Sequence, residues 1–181
     1  DVEKATSREA IARFHEMGIE VVMLTGDNAR TAEAIRRRMG IEKVIAGVLP
    51  ENKAAHIKKL QSEGHRVAMI GDGINDAPAL AAADIGIAMG ATGSDAAIES
   101  ADVAFTGHDL RLLPRAFAHA RRGRHIINQN IILSLLIITA LLPLALFGVL
   151  GLAAVVLVHE IAEVIVILNG LRAASTRKAS T

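Results

Sequence analysis

The chain has 181 residues, about the length of one domain, of which 51% are hydrophobic and 22% charged. It contains no Cys, Trp or Tyr, which excludes a disulfide scaffold and a Cys-based zinc site. The first 125 residues hold 17 of the 20 Lys and Arg and 17 of the 19 Asp and Glu, and this neutral balance argues against a nucleic-acid partner.

Apolar runs and helix-forming stretches alternate through the first hundred residues. Strands are predicted at Ile19–Leu24, Val44–Ala46, Arg66–Ile70, Ile85–Met89 and Val103–Phe105. Helices are predicted between them at Ala29–Arg38, Glu51–Glu63, Ala77–Ala83 and Ser94–Ser100. This alternation predicts an α/β, Rossmann-like fold with right-handed βαβ units and a mostly parallel sheet.

Two of the predicted strands end in acidic loops that contain glycine. The loops read TGDN at residues 25–28 and GDGIND at residues 71–76. Each loop alone is compatible with an ordinary turn. Because ligands of such sheets bind at the carboxyl ends of the strands, the pair is expected to open on one edge of one sheet and to form a site.

The residue types in these loops suit phosphoryl transfer. Asp72 and Asp76 offer two carboxylates for a hard cation such as Mg²⁺. Thr25 and nearby backbone N–H groups are suited to phosphate oxygens at a helix N-terminus. Lys53, at the start of a predicted helix, adds a positive charge that offsets the transferred group.

The segments TGDN (25–28), PENK (50–53) and GDGINDAPAL (71–80) resemble the phosphorylation domain of P-type ion-pumping ATPases. The closing NGLR (169–172), directly after a helix pair, resembles the heavy-metal-transporting branch. The resemblance covers nearly the whole chain. It implies a haloacid-dehalogenase-type parallel-sheet domain followed by a two-helix transmembrane hairpin.

The resemblance also implies roles for single residues. Thr25 would hydrogen-bond the phosphoryl group and Lys53 would neutralise it, with Gly26 and Asp27 shaping the phosphate-binding loop. Asp72 would ligate Mg²⁺, Asn75 would hold the loop, and Asp76 would be a second or indirect metal contact. ATP would be the substrate of the complete pump.

The nucleophilic Asp of this family lies in a DKTGT sequence, which does not occur here. The nucleotide-binding domain, the actuator domain and the earlier membrane helices would likewise be partners from elsewhere in the same pump. We therefore expect a C-terminal portion that does not hydrolyse ATP alone. The expected divisions are 1–108 for the C-terminal part of the phosphorylation domain, 109–125 for a basic stalk beginning at an Asp109 N-cap, and 172–181 for a cytoplasmic tail.

Residues 131–158 contain no charged side chain, which indicates a membrane segment. Arginines precede and follow this stretch, so under the positive-inside rule both ends are cytoplasmic and the chain crosses the bilayer twice, at 126–148 and 152–171. Gly148 and Gly151 are expected at the outer turn, and Pro143 is expected to kink the first helix. The predicted location is the plasma membrane, as a multi-pass protein.

The second span carries His159, Glu160 and Glu163. Ionisable residues within a membrane segment are by default candidates for a transport pathway. His159 and Glu163 share one helix face and suit a borderline divalent ion such as Zn²⁺, Co²⁺, Ni²⁺ or Fe²⁺ better than Cu⁺. The family comparison is to the cobalt/zinc-type subgroup, from whose usual HEG motif the sequence His159-Glu160-Ile161 departs.

The main hypothesis is therefore the C-terminal part of an ATP-driven divalent-metal export pump that works through an aspartyl-phosphate. One alternative is a membrane-anchored phosphatase of the same superfamily. A second is a non-catalytic membrane protein that binds phosphate or a partner. In the first span Asn128, Asn130 and Ser134 are expected to form interhelical hydrogen bonds more often than to bind metal.

Overall fold

A computed structural model describes residues 5–72, 74–90 and 98–174 of the chain. It divides into two compact units, residues 1–114 and 115–181. The helices are α1 (Ala5–Glu16), α2 (Ala29–Met39), α3 (Pro50–Ser62), α4 (Ala77–Ala82), α5 (Leu112–Leu146) and α6 (Leu152–Ala174). The strands are β1 (Val22–Leu24), β2 (Lys43–Ile45), β3 (Ala68–Gly71), β4 (Ile85–Met89) and β5 (Val103–Phe105).

The predicted alternation of strands and helices is confirmed with small shifts of the boundaries. The first strand begins at Val22 and not at Ile19, because the Ile19 N–H donates to the Phe14 carbonyl and closes α1. Gly18, with φ of 69°, makes that reversal possible. The helix predicted at Ser94–Ser100 falls mostly on residues outside those that the structure describes.

All strand pairs are parallel, but the described strands form two sheets and not the single sheet that was predicted. β1 pairs with β2, with Met23 opposite Val44. β3, β4 and β5 pair in that order, with Ile70 opposite Ile87 and Ala88 opposite Ala104. β1 and β3, the two strands that end in the acidic loops, each have one edge without a partner strand among the described residues.

The core of the first unit lies under both sheets in separate clusters. Ile57, Met69, Ala79 and Leu80 form one cluster between α3, α4 and β3. Ile11, Met39 and Ile41 form another under β1. Gly86 in β4 lies against the α4 backbone, where an added Cβ would come within 2.6 Å of the Leu80 carbonyl oxygen. That approach requires glycine and fixes how closely α4 packs on the three-stranded sheet.

The second unit contains most of α5 and all of α6, and both helices are long and apolar enough to cross a membrane by length and composition. Their apolar side chains are largely exposed, as in Leu136 at 63% and Leu157 at 61%. The connection confirms the predicted tight turn, because Gly148 adopts φ of 67° and the Val149 N–H donates to the Leu144 carbonyl, as in a Schellman motif.

Two details of α5 are now defined. The helix is continuous from Leu112 to Leu146 and includes Pro143 near its end. It begins later than an Asp109 N-cap would place it. The Asp109 carboxylate instead accepts the Arg111 N–H at 3.0 Å and the Arg111 guanidinium at 2.8 Å, which organises the turn that leads into the helix.

The Asp84 carboxylate fastens the starts of β3 and β4 together. It accepts the Val67 N–H at 2.9 Å and the Gln61 side chain at 3.1 Å, and it pairs with Arg66 at 2.9 Å. The Val67 N–H, the Gln61 amide and the Arg66 charge together hold the pKa of Asp84 below its usual value of 3.8.

A carboxyl group whose pKa is lower in the folded state contributes stability above its unfolded-state pKa, and that contribution is lost as the pH falls through the folded-state value. We expect the urea midpoint, followed by far-UV circular dichroism, to fall below about pH 4. Asp84→Asn should weaken that acid dependence, whereas the exposed control Glu51→Gln should retain it. An unchanged pH profile in Asp84→Asn would contradict the assignment.

Candidate functional site

The loop after β1 is organised by its own polar side chains. The Thr25 hydroxyl donates to the Asp27 carboxylate at 3.0 Å and accepts the Asp27 N–H at 3.1 Å. Asn28 caps α2 by accepting the Thr31 N–H at 3.0 Å. Thr25, Gly26 and Asp27 therefore form one compact turn at a helix N-terminus, with Asp27 as the residue that shapes it.

This loop is tied to the segment that enters α3. The Val48 N–H donates to the Thr25 carbonyl at 3.0 Å, and the Gly47 N–H donates to the Asp27 carbonyl at 2.8 Å. α3 begins two residues after Val48, with Pro50 in its first turn, where a missing N–H costs no helical hydrogen bond. The position of α3, and of Lys53 on it, thus follows from the Thr25 loop.

Lys53 and Asp76 form an ion pair that joins α3 to the GDGIND loop. Their side chains meet at 2.6 Å and are only 17% and 11% exposed. Asp76 occupies the N-cap position of α4 but makes no side-chain cap hydrogen bond, so its carboxylate is used for Lys53. From the sequence, Lys53 was predicted to offset the charge of the phosphoryl group and Asp76 to contact Mg²⁺, and their pairing was not predicted.

The end of β3 is shaped to hold Asp76. A Cβ at Gly71 would lie 2.7 Å from the Asp76 Cβ and 2.8 Å from its Oδ2, so only glycine leaves room for this side chain. Asp72 follows directly and is exposed, and Asn75 lies in the short 3₁₀ turn Ile74–Asp76, also exposed. The Asp72 side chain has no hydrogen bond or ion pair to another residue that the structure describes.

The donor chemistry at this edge fits Mg²⁺ in part. Asp72 offers an anionic oxygen that faces solvent at the carboxyl end of a strand, which is the donor type that this ion prefers. Asp76 already has a cationic partner in Lys53, which suits an indirect contact better than direct ligation. Within the described residues no three His, Asp or Glu side chains cluster, so further ligands would come from water, phosphate or another part of the protein.

In the second unit, His159 and Glu163 are neighbours on one face of α6. The His159 Nε2 and the Glu163 Oε1 are 3.4 Å apart. Both residues line an open groove of about 320 Å³ between α5 and α6, which Ser134 borders from α5. Glu160 is exposed and does not line this groove, so the structure groups two of the three predicted cargo residues and separates the third.

Sequence reasoning assigned no role to His108, which packs on Gly90 at the end of β4. A Cβ at Gly90 would come within 2.0 Å of the His108 ring, and φ at Gly90 is 73°. This contact fixes the chain just after β5 against the strand next to it. The only signal in the sequence was the glycine itself, at a strand end.

Comparisons with known proteins agree with the fold described above. Residues 1–84 match the haloacid dehalogenase-like hydrolases. The structure superposes with a TM-score of 0.89 on the crystal structure of a zinc-transporting PIB-type ATPase in the E2·Pi state, at 42% identity and over 97% of this chain and 28% of that one. Fold and loops thus define a haloacid-dehalogenase-type domain with two apolar helices after it.

Proteins with similar sequences indicate which kind of haloacid-dehalogenase-type protein this is. A probable cation-transporting ATPase G of Mycobacterium tuberculosis is 61% identical over 165 residues, which is 91% of this chain and 21% of the relative. A copper-exporting P-type ATPase of Staphylococcus haemolyticus is 48% identical over 172 residues, or 95% of this chain and 22% of the relative. The chain belongs to the heavy-metal-transporting P-type ATPases and corresponds to a C-terminal part of them, about a fifth of the length of these relatives.

The buried ion pair gives a direct test of the site. Lys53→Met leaves the Asp76 carboxylate buried without its cation, so we expect a loss of about 3–5 kcal/mol in the free energy of unfolding. The double variant Lys53→Met/Asp76→Asn should recover much of that loss, because no isolated charge remains. Urea denaturation followed by far-UV circular dichroism measures both.

Lys58→Met, an exposed position on the same helix, is the matched control and should change stability little. Equal losses in Lys53→Met and Lys58→Met would show that the pair does not stabilise the fold.

Proposed function

We propose that this chain is the C-terminal part of an ATP-driven pump that exports a divalent transition-metal ion through an aspartyl-phosphate formed on another part of the same protein. The observation that carries the proposal is the arrangement of the Thr25 loop, Lys53 and the Asp72–Asp76 loop as one connected edge. These residues supply a hydroxyl, a fixed cation and an anionic metal ligand, the groups that phosphoryl transfer requires.

Each group has a separate task at this edge. The Thr25 hydroxyl, now engaged with Asp27, is available to turn toward a phosphoryl oxygen. Lys53 supplies positive charge and Asp76 holds its ammonium in place. Asn75 is proposed to hold the loop, as the resemblance implies. Mg²⁺ bound by Asp72 would offset charge on the phosphoryl oxygens.

The open strand edges support a contribution from outside this chain. β1 and β3 end in the two functional loops, and each has an unpaired edge within the described residues. Ile70 of β3 is 37% exposed although it belongs to a sheet whose central strand is buried. A further parallel strand between them would cover Ile70 and bring its own carboxyl end next to Thr25 and Asp72, which is where a nucleophilic Asp is needed.

The helix pair is proposed to bind the transported ion. His159 and Glu163 supply one nitrogen and one oxygen ligand, a combination that suits Zn²⁺ or Co²⁺. All five methionines lie in the first 89 residues and there is no cysteine, so α5 and α6 offer no sulfur ligand for Cu⁺. Glu160, which is exposed and does not line the groove, is proposed to meet another part of the pump.

The proposed location is the plasma membrane, with both chain ends on the cytoplasmic side. Arginines flank the apolar stretch on both sides, including Arg124 before it and Arg172 after it, as the positive-inside rule expects for a hairpin. The proposed partners are the lipid bilayer, the metal ion and the remaining domains of the pump, which supply ATP binding and the nucleophile.

Asp72→Asn in the complete pump should abolish the phosphorylated protein formed from labelled ATP, or its turnover. An amide in place of the carboxylate removes the anionic ligand, and with it several kcal/mol of charge stabilisation, about 10²-fold or more in rate. Membrane insertion should stay normal. Glu20→Gln, an exposed acid in the same unit, is the control, and wild-type phosphorylation in Asp72→Asn would refute the assignment.

His159→Ala and Glu163→Ala should each raise the concentration of Zn²⁺ or Co²⁺ that gives half-maximal ATPase activity by about tenfold or more, because each removes a ligand of the ion. Glu160→Gln is the matched control on the same helix and should leave the metal dependence near that of the wild type. If both alanine variants kept the wild-type metal dependence and maximal rate, the cargo site would lie in other helices.

A further inference from the structure

The polar contacts between α5 and α6 are concentrated at one end of the pair. Asn169 donates to the Asn130 Oδ1 at 2.8 Å and to the Gln129 Oε1 at 3.3 Å, and Asn130 donates to the Val166 carbonyl at 3.3 Å. Arg122 donates to the Arg172 carbonyl at 3.1 Å. We call the Asn130–Asn169 pair, with its bond to Val166, the clasp.

Close packing accompanies the clasp. Gly170 lies beside Asn130, and an added Cβ would make an ordinary van der Waals contact with the Asn130 Nδ2 at 3.9 Å, so the two helices are close at this point. The Arg172 guanidinium donates to the Asn169 Oδ1 at 2.8 Å. The Asn169 amide is therefore held at its oxygen by its own helix and at its nitrogen by α5, which leaves it little freedom to rotate.

The groove lies further along the same side of α6. Val155, His159, Ala162 and Val166 line its two parts, at spacings of four, three and four residues. Asn169 continues this series by three more residues. Such a stripe keeps to one face of a helix, so the clasp and the groove residues belong to the same contact face.

Apolar side chains alone specify the rotation of α6 weakly. In lipid there is no hydrophobic driving force between helices, and packing and interhelical hydrogen bonds decide how they meet. Most neighbouring positions on α6 are apolar and exposed, such as Val156 at 49% and Leu157 at 61%, so turning the helix by one residue would exchange mostly similar side chains. The clasp is what distinguishes one rotation from the next.

We propose that Asn130 and Asn169 are positioning residues: through the clasp they set the rotation of α6 on α5 and so direct His159 and Glu163 into the groove. The link to metal binding rests on the proposed function of that groove, whereas the control of rotation does not. The two residues do not touch the ion and act only through the helix that carries its ligands.

The rotation can be measured in the 181-residue chain in lipid vesicles, because it has no cysteine of its own. One cysteine pair is placed at 141 and 155, two positions that line the groove from α5 and α6. The other is placed at 141 and 156, so that its α6 member is the next residue along that helix. A short bismaleimide then gives the ratio of the two cross-linking rates. We expect Asn130→Ala and Asn169→Ala each to lower the ratio of 141–155 to 141–156 severalfold.

Asn128→Ala, an exposed asparagine on α5 outside the clasp, is the matched control and should leave the ratio unchanged. Asn130→Asp keeps the acceptor for Asn169 and removes the donor to Val166, so it should give an intermediate ratio, and it replaces Asn130→Ala if that variant fails to insert. An unchanged ratio in Asn169→Ala and in both Asn130 variants would overturn the proposal.

The consequence for transport is measured in the complete pump. Asn169→Ala should raise the Zn²⁺ or Co²⁺ concentration for half-maximal ATPase activity roughly threefold to tenfold, with the maximal rate nearly unchanged. A changed cross-linking ratio with unchanged metal dependence would overturn the link to cargo. Wild-type behaviour of His159→Ala would instead refute the cargo site itself and leave the cross-linking result standing.

Discussion

The ion pair between Lys53 and Asp76 is the contact on which the first unit depends. It joins α3, whose position follows from the Thr25 loop, to the turn after β3, and so connects the ends of two strands that lie in separate sheets. Because both side chains are largely buried, removing either one leaves the charge of the other buried without a partner. Gly71 makes the contact possible by leaving room for Asp76.

Much of this unit could be predicted from the sequence, since strands and helices follow from local runs of residues. β4 and β5 were predicted to the residue, and both acidic loops were placed at strand ends. The division into two sheets could not be predicted, because strand pairing depends on contacts between segments that are far apart in the chain. The Lys53–Asp76 pair, 23 residues apart, depends on the same tertiary arrangement.

For α5 and α6, the sequence pattern predicts the helices themselves but not their rotation about their own axes. Length and hydropathy predicted α5 and α6, and Gly148 predicted the position of the turn between them. Rotation is a different matter, since a helix with apolar residues on all sides carries no periodic signal for its contact face. Asn130 was expected to form interhelical hydrogen bonds and does, but its partner Asn169 was visible only in the structure.

Some charged side chains of this chain have an ion-pair partner among the described residues, and others do not. Lys53 and Asp76 neutralise each other within the fold, as do Asp84 and Arg66. Asp72 at the sheet edge has no cation among the described residues, and Glu163 has only His159, a group that is charged only when protonated. Glu163 lies on an apolar helix, where desolvation is expected, whereas Asp72 is exposed to solvent at a strand end. Each of these carboxylates is open to a cation from outside the chain, and on this ground we propose Mg²⁺ at Asp72 and a transported metal ion at Glu163.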